Sequence, residues 1–295
     1  MPGRIAGYNA RMKSISELTA WVADIGLVKT RRAVAALPLS FFVMLYVMVS
    51  MNAPDGWTGA LVGLSACYLV AFLAIVAEWF WGRWFASGIA WSGVMVGAIS
   101  LVMLGWSIPL ALYTGLHGLV LVLLMGPKMA ALYDLQEAWR AKFRMDEFGV
   151  ARLRKTVTRA AASLPGMILW ALGPKNPDQS LVHGAFALGL GALGVIGLGA
   201  ILRGRTWGLL ALATTALCLT VHAPWHARGT EFLGAVPFLV EPSFARALGG
   251  FPGAVVLLAL SSAVIGVILA AAVAPFAVPL VRALRSPPAP RAPRG

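Results

Sequence analysis

Long apolar runs separated by short polar segments dominate the chain. Seven runs are plain, at 33–51, 57–77, 85–104, 106–125, 181–202, 207–222 and 252–280. A helix needs about 20 predominantly apolar residues to cross a bilayer, and most of these runs reach that length. The pattern therefore predicts an all-α, polytopic transmembrane helical bundle.

A further apolar segment at 160–173 decides the predicted topology. Seven crossings from a cytoplasmic N-terminus would leave the basic C-terminal tail outside. Eight crossings place 21 of the 24 basic residues and both termini on the cytoplasmic side, as the positive-inside rule favours. The segment is short and contains Pro165, so seven spans plus a re-entrant segment at 160–173 is the alternative to the favoured eight.

Two basic segments have the spacing of amphipathic helices. Residues 1–32 carry an apolar stripe and a capping box at Ser14 and Glu17, which predicts a helix on the cytoplasmic surface. Residues 126–162 predict one or two helices, broken at Gly149. This second segment is either a solvated connector or a helix that docks on the lipid surface.

The apolar stripe of the second basic segment is predicted to face lipid or the bundle. It runs through Leu135, Trp139, Phe143 and Leu153, with arginines on the other face. The aromatic-rich stretch 78–85 predicts a belt at the headgroup level, because tryptophan is enriched there.

These patterns divide the chain into five parts. They are a cytoplasmic amphipathic segment at 1–32, a four-helix transmembrane half at 33–125, a basic amphipathic cytoplasmic helix at 126–162, a second transmembrane half at 163–281 with an outer loop at 223–251, and a disordered, basic, Pro-rich tail at 282–295.

Composition narrows the class of protein. Hydrophobic residues make up 59% of the chain and charged residues 12%, against about 45–50% and about 25% in soluble domains. The chain is therefore too apolar for a nucleic-acid-binding domain, despite its net charge of +13. Arginine outnumbers lysine in a chain rich in Ala, Gly and Leu, which is typical of a GC-rich bacterial genome. We expect a multi-pass protein of the bacterial inner (plasma) membrane.

The cores of the predicted spans contain few side chains that could act in catalysis or ion transport. They hold no Asp, Glu, Lys or Arg, which argues against ion-coupled transport and intramembrane aspartyl catalysis. His117 lies near the middle of the fourth run. It is interpreted as a neutral imidazole that bonds a neighbouring helix through a gap left by Gly115 and Gly118, with haem or metal ligation as the alternative.

Small residues recur at spacings of four. Gly59–Gly63 and Gly93–Gly97 are GxxxG pairs, which indicate close packing within the bundle or, alternatively, a homodimer face.

A candidate metal site lies at the predicted outer face. His222, His226 and Glu231 follow one another where the seventh run meets the outer loop, and His183 begins the preceding run on the same side. Two imidazoles and a carboxylate are an open Zn²⁺ ligand set. Pro224 lies between the two histidines, so a continuous helical face there is not assured.

The leading functional hypothesis is a non-enzymatic accessory, assembly or sensory subunit. Its partners would be anionic lipid headgroups at the basic helix, with a protein partner or a homodimer also possible, and no nucleic acid. The alternatives are a membrane-embedded enzyme with the outer His/Glu metal site, and a permease for an uncharged or lipid-like solute. The sequence identifies no cofactor.

Overall fold

The computed structural model describes residues 27–53, 56–134, 136–143, 146–173, 181–226 and 264–276. Within these ranges the chain is helical and contains no strand. The helices are α1 (Leu27–Met51), α2 (Thr58–Val76), α3 (Gly82–Leu104), α4 (Ile108–Leu124), α5 (Pro127–Asp134), α6 (Glu137–Phe143), α7 (Glu147–Leu172), α8 (Leu181–Leu202), α9 (Trp207–His226) and α10 (Val264–Phe276).

The first four helices alternate in direction and pack side by side. α1 packs on α2 and α4, and α3 packs on α2 and α4. Short turns join them, so apolar faces on all four are buried together. The core side chains here include Leu39, Phe42, Tyr68, Trp84 and Ile89.

The chain bends sharply after α4. Gly126 has a φ of +102°, which favours glycine, and α5 then runs at 75° to α4. The two short helices α5 and α6 follow. Asp146 is the N-cap of α7, and its Oδ1 accepts a hydrogen bond from the Gly149 amide at 2.6 Å. The predicted break at Gly149 is wrong, because the Asp146 cap starts the helix three residues earlier.

The long helix α7 runs from the α5 end of the bundle to the opposite end. Near its middle, the Thr158 carbonyl lies against Gly88 of α3, and at its end Leu172 lies against Gly59 of α2. The helix continues through Pro165. The segment 160–172 is therefore the second half of one continuous helix and does not reverse direction within itself.

The last three described helices pack beside α7. α8 and α9 form an antiparallel hairpin in which Gly208 lies against Gly197, and Gly191 of α8 lies against Ala171 of α7. α10 runs so that Gly266 lies near Thr220 and the Ala272 carbonyl accepts from Thr156. The end of α10 therefore lies at the same end of the bundle as the start of α1.

Charge is segregated along the bundle. Every charged residue in the described ranges lies in the half that holds the start of α1, which we call the charged end. These residues are Lys29, Arg31, Arg32, Glu78, Arg83, Lys128, Asp134, Glu137, Arg140, Lys142, Asp146, Glu147, Arg152, Arg154, Lys155, Arg159, Arg203 and Arg205. The opposite end of the described bundle carries none.

Four helices are long and apolar enough to span a membrane, and a fifth is added if the bent α4–α5 pair counts as one span. The four are α1, α2, the Gly82–Val102 part of α3 and the Gly184–Leu202 part of α8. α10 falls inside the predicted run at 252–280. The predicted N-terminal helix, most of the outer loop at 223–251 and the Pro-rich tail lie outside the described residues.

Candidate functional site at the charged end

Asp134, the last residue of α5, is the centre of a polar cluster. Its Oδ2 accepts from Arg83 Nη2 at 2.7 Å and its Oδ1 from Trp84 Nε1 at 2.9 Å, both on α3. Arg154 Nη1 of α7 lies 3.6 Å from the same Oδ2. We call these four residues the Asp134 cluster. Because Asp134 is only 8% exposed, its charge is neutralised by these arginines rather than by water.

Two side-chain hydrogen bonds connect α5 and the following residue Gln136 to the C-terminal end of α2. The Tyr133 hydroxyl donates to the Ile75 carbonyl at 3.0 Å, and Gln136 Nε2 donates to the Glu78 carbonyl at 2.9 Å. Burial raises the pKa of Tyr133 to about 12, against the opposing effect of Arg32 and Arg83, so this hydroxyl keeps its proton at neutral pH. The Ile75 carbonyl also accepts from the Glu78 amide, so the tyrosine adds a second hydrogen bond at the C-terminus of α2.

Glu78 closes the C-terminus of α2 in a left-handed conformation. Its φ is +53°, and it is the one non-glycine residue with positive φ in the described part of the chain. The Trp79 amide donates back to the Ala74 carbonyl, the bond of a Schellman motif in which glycine is usual. The Glu78 side chain forms an ion pair with Arg32 of α1, which links the two helices at this strained position.

The start of α1 is tied to the end of α4 by Arg31. Its Nη2 donates to the Val122 carbonyl at 2.9 Å and also to the Met125 carbonyl. A cationic side chain at a helix C-terminus also interacts favourably with the helix dipole.

The stretch 78–85 does not form a uniform aromatic belt. Phe80 and Trp84 are buried, and Phe80 stacks on Trp139 of α6 with ring centroids 5.5 Å apart. Trp79 alone in this stretch is a large hydrophobic residue with a well-exposed side chain. The stacking also places Trp139 against the bundle, and Leu153 is buried, as their predicted stripe requires. Leu135 and the side chain of Phe143, the other two positions of that stripe, lie outside the part of the chain that the structure describes.

A groove of about 270 Å³ opens between α5 and α7 beside the Asp134 cluster. Its walls are small apolar residues, among them Ala130, Ala131 and Ala151. Glu147 and Arg154 line the same groove from α7. We call it the α5–α7 groove. In this groove exposed charges of both signs lie beside an apolar surface.

His117 is buried among aromatic rings in the bundle core. Its Nδ1 lies 2.8 Å from the Tyr113 carbonyl, which only accepts, so Nδ1 carries the proton. Its Nε2 therefore accepts from the Tyr68 hydroxyl at 2.6 Å. Both ring nitrogens are engaged, which leaves neither for haem or a metal. The hydrogen bond to the neighbouring helix α2 agrees with the neutral interpretation of this histidine.

The gap that admits the His117 ring differs from the predicted one. Gly115 and Gly118 face open space, whereas a Cβ on Gly93 of α3 would overlap the imidazole. Gly97 likewise accommodates Thr114, and Gly63 accommodates α7. Both GxxxG pairs thus pack within this chain, as the packing interpretation predicted.

The predicted metal residues fall at the limit of the described chain. Glu231 lies outside the described residues, and the backbones of His183, His222 and His226 are described without their side chains. The contact of Gly208 with Gly197 sets the register of the α8–α9 hairpin, which puts position 183 level with 222–226. The zinc site at these four residues therefore stays a prediction.

The Asp134 cluster was not predicted from the sequence. Asp134 and Arg83 are 51 residues apart, and nothing local marks either as a partner of the other. The available signal was an acidic residue in a basic segment, together with an arginine inside an aromatic stretch.

The chain shows no significant match to a protein-family model, a curated protein or a solved structure.

Proposed function

We propose that the chain is a multi-pass protein of the bacterial inner membrane that crosses the bilayer eight times, with both termini in the cytoplasm. The alternating directions of α1–α4 and of α7–α10 support this topology. α1–α4 and α7–α9 each run between the two ends of the bundle, and the described part of α10 runs beside α7 from Gly166 to Thr156. The charge segregation supports the orientation, because basic segments are retained on the cytoplasmic side.

Within that membrane the protein acts as a non-enzymatic accessory, assembly or sensory subunit whose charged end contacts anionic headgroups or a partner protein. The single observation that carries this proposal is the confinement of all described charges to one end. Each Lys or Arg near an anionic surface contributes about 1 kcal/mol of attraction. The buried polar groups in the core, such as His117 and Tyr68, bond to each other and serve packing.

Phe148 supports contact between the start of α7 and lipid. It lies beside Glu147 in the first turn of the helix, and 73% of its side chain is exposed. A large exposed aromatic residue among charges is typical of a segment that inserts its apolar side chains at the membrane boundary.

Lipid contact is tested with an environment-sensitive fluorophore on Phe148→Cys, in a Cys67→Ala, Cys218→Ala background reconstituted in nanodiscs. We expect quenching by nitroxide placed just below the lipid headgroup, and more of it with phosphatidylglycerol than with phosphatidylcholine alone. The matched control carries the fluorophore at Trp106→Cys, an exposed site at the opposite end, where lipid charge should have no effect. Quenching of the Phe148 probe by aqueous iodide alone would contradict the proposal.

A second candidate function is a membrane-embedded metalloenzyme with its site at the outer face. The observation that favours it is the hairpin register that brings position 183 level with His222 and His226. Metal analysis of the purified protein tests this candidate. Zinc near one equivalent that is lost in His222→Ala would support it, and no zinc after purification in zinc-containing buffer would refute it. The permease for an uncharged solute stays a prediction.

A further inference from the structure

We propose that the α5–α7 groove binds the headgroup of a phospholipid that carries a primary amine, with the phosphate on Arg154 and the ammonium on Glu147. This inference rests on the proposed membrane location and adds a specific lipid site to it. Its first support is charge complementarity, because the groove presents the exposed guanidinium of Arg154 and the exposed carboxylate of Glu147 beside small apolar residues. The third charged residue in the lining, Asp134, is already bonded to Arg83 and Trp84.

Arg154 can bind a phosphate while Asp134 keeps its other hydrogen-bond partners. The Asp134 oxygens already receive hydrogen bonds from Arg83 and Trp84, whereas Arg154 lies 3.6 Å away, beyond hydrogen-bonding distance. The Arg154 side chain is 45% exposed and lines the groove, so its guanidinium is accessible to a ligand there. A guanidinium donates to phosphate in bidentate geometry, which suits a phosphodiester.

Glu147 supplies the opposite charge at the outer end of the groove. It is exposed and lies seven residues before Arg154 on α7, so the two side chains share a helix face about 10 Å apart along the axis. A primary ammonium donates hydrogen bonds to a carboxylate, whereas the quaternary ammonium of choline has no N–H to donate. Both side chains are long, so a headgroup with two carbons between its charges can contact both.

The order of the two charges matches the orientation of a bilayer lipid. α7 enters the bundle as its residue numbers rise, so Arg154 lies nearer the apolar helices than Glu147. A lipid in this groove would therefore point its amine outwards and its phosphate inwards, with the two carbons between them along Ala130 and Ala151. The volume of about 270 Å³ is close to the lower end, about 300 Å³, of sites that hold small molecules, which fits a headgroup rather than a whole lipid.

The test is native mass spectrometry of the full-length protein in detergent, titrated with phosphatidylethanolamine, phosphatidylcholine or phosphatidylglycerol of identical acyl chains. We expect one phosphatidylethanolamine to bind at least fivefold more tightly than either other lipid. Arg154→Gln and Glu147→Gln should each remove this preference. The matched controls Arg152→Gln and Glu137→Gln, which lie outside the groove, should keep it.

Soluble glycerophosphoethanolamine distinguishes a lipid site from a site for free headgroup. We expect it to compete only weakly, because it lacks the acyl chains that hold the lipid at the membrane boundary. Competition as strong as that of the lipid itself would overturn the lipid assignment in favour of a soluble ligand.

Two results would refute the inference. One is equal binding of all three lipids. The other is a preference for phosphatidylglycerol that Arg154→Gln reduces and Glu147→Gln does not, which would describe a simple anion site. Neither result would disturb the proposed topology or the attraction of the charged end to anionic surfaces, which the Phe148 probe measures separately.

Discussion

At the scale of single residues, Asp134 links three helices of the charged end. It joins α5 to α3 through two hydrogen bonds and approaches α7 through Arg154. Its partner Arg83 is itself almost buried, with 12% of the side chain exposed. Removal of the Asp134 charge would leave that guanidinium without compensation in a poorly solvated site.

We therefore expect Asp134→Asn to lower the free energy of unfolding by about 3 kcal/mol, the lower end of the range for breaking a buried ion pair. Arg154→Gln should cost less than about 1 kcal/mol, because Arg154 is partly exposed and only weakly engaged. Denaturant unfolding in detergent micelles, followed by tryptophan fluorescence, measures both. Equal effects of the two substitutions would contradict the assigned roles.

Gly93 provides a residue-scale test of the His117 site. A Cβ there would overlap the imidazole, so Gly93→Ala should destabilise the protein by about 1–3 kcal/mol through overpacking. Gly115→Ala is the matched control, since that position faces open space in the same region. It should be neutral or stabilise by up to about 1 kcal/mol, because alanine is the better helix former. A destabilising Gly115→Ala with a silent Gly93→Ala would place the gap where the sequence predicted it.

At the scale of elements, α7 holds α10 at a point where the α10 backbone lacks a donor. Pro275 has no N–H, so the carbonyl four residues earlier, at Ala271, has no helical partner. Arg159 Nη1 donates to that carbonyl at 2.6 Å, and Thr156 donates to the next one, at Ala272. α7 thus replaces a hydrogen bond that α10 cannot make for itself.

The substitution Pro275→Ala should make Arg159 dispensable. Arg159→Gln alone is expected to cost about 1 kcal/mol, the typical net value of a hydrogen bond. In the Pro275→Ala background the alanine amide can donate to Ala271, so the same substitution should cost almost nothing. A double-mutant cycle of unfolding free energies measures this coupling. Additive effects would mean that Arg159 stabilises the protein by another route.

Sequence patterns predicted elements better than they predicted contacts. The run at 181–202 has the same limits as α8, because it is uniformly apolar and ends at a polar turn. α1 begins six residues before its predicted start, since Lys29, Arg31 and Arg32 were excluded from the span. Long basic side chains can nevertheless belong to an apolar helix when their charged ends reach polar groups beyond it. Arg31 does so, because its guanidinium donates to a carbonyl at the end of α4.

The pairing of distant residues could not be predicted from one sequence. Tyr68 and His117 are 49 residues apart, and their hydrogen bond crosses the bundle between α2 and α4, which α1 and α3 hold in place. The same holds for Gly93, which admits His117 although it belongs to a third helix. Hydrophobic periodicity gives the face that a helix buries, but not the residue that each buried position will meet.

At the scale of the whole molecule, the proposed topology requires the two ends of the bundle to face different sides of a membrane. Seven of the described helices, α1–α4 and α7–α9, connect a charged end with an end that carries no described charge, and the described part of α10 ends at the charged end. The start of α1, the α5–α6 segment, the α8–α9 turn and the end of α10 all belong to the charged end. The lipid site and the headgroup docking both require these segments to share the cytoplasmic side.

The most direct test is cysteine accessibility in intact bacterial cells, using a membrane-impermeant maleimide on single-cysteine variants of a Cys67→Ala, Cys218→Ala chain. We expect Lys29→Cys, Lys128→Cys and Arg205→Cys to react only after the inner membrane is permeabilised, and Asn52→Cys and Ser107→Cys to react before it. Labelling of Arg205→Cys in intact cells, with Lys128→Cys still protected, would place the α8–α9 turn outside and contradict the eight-crossing topology.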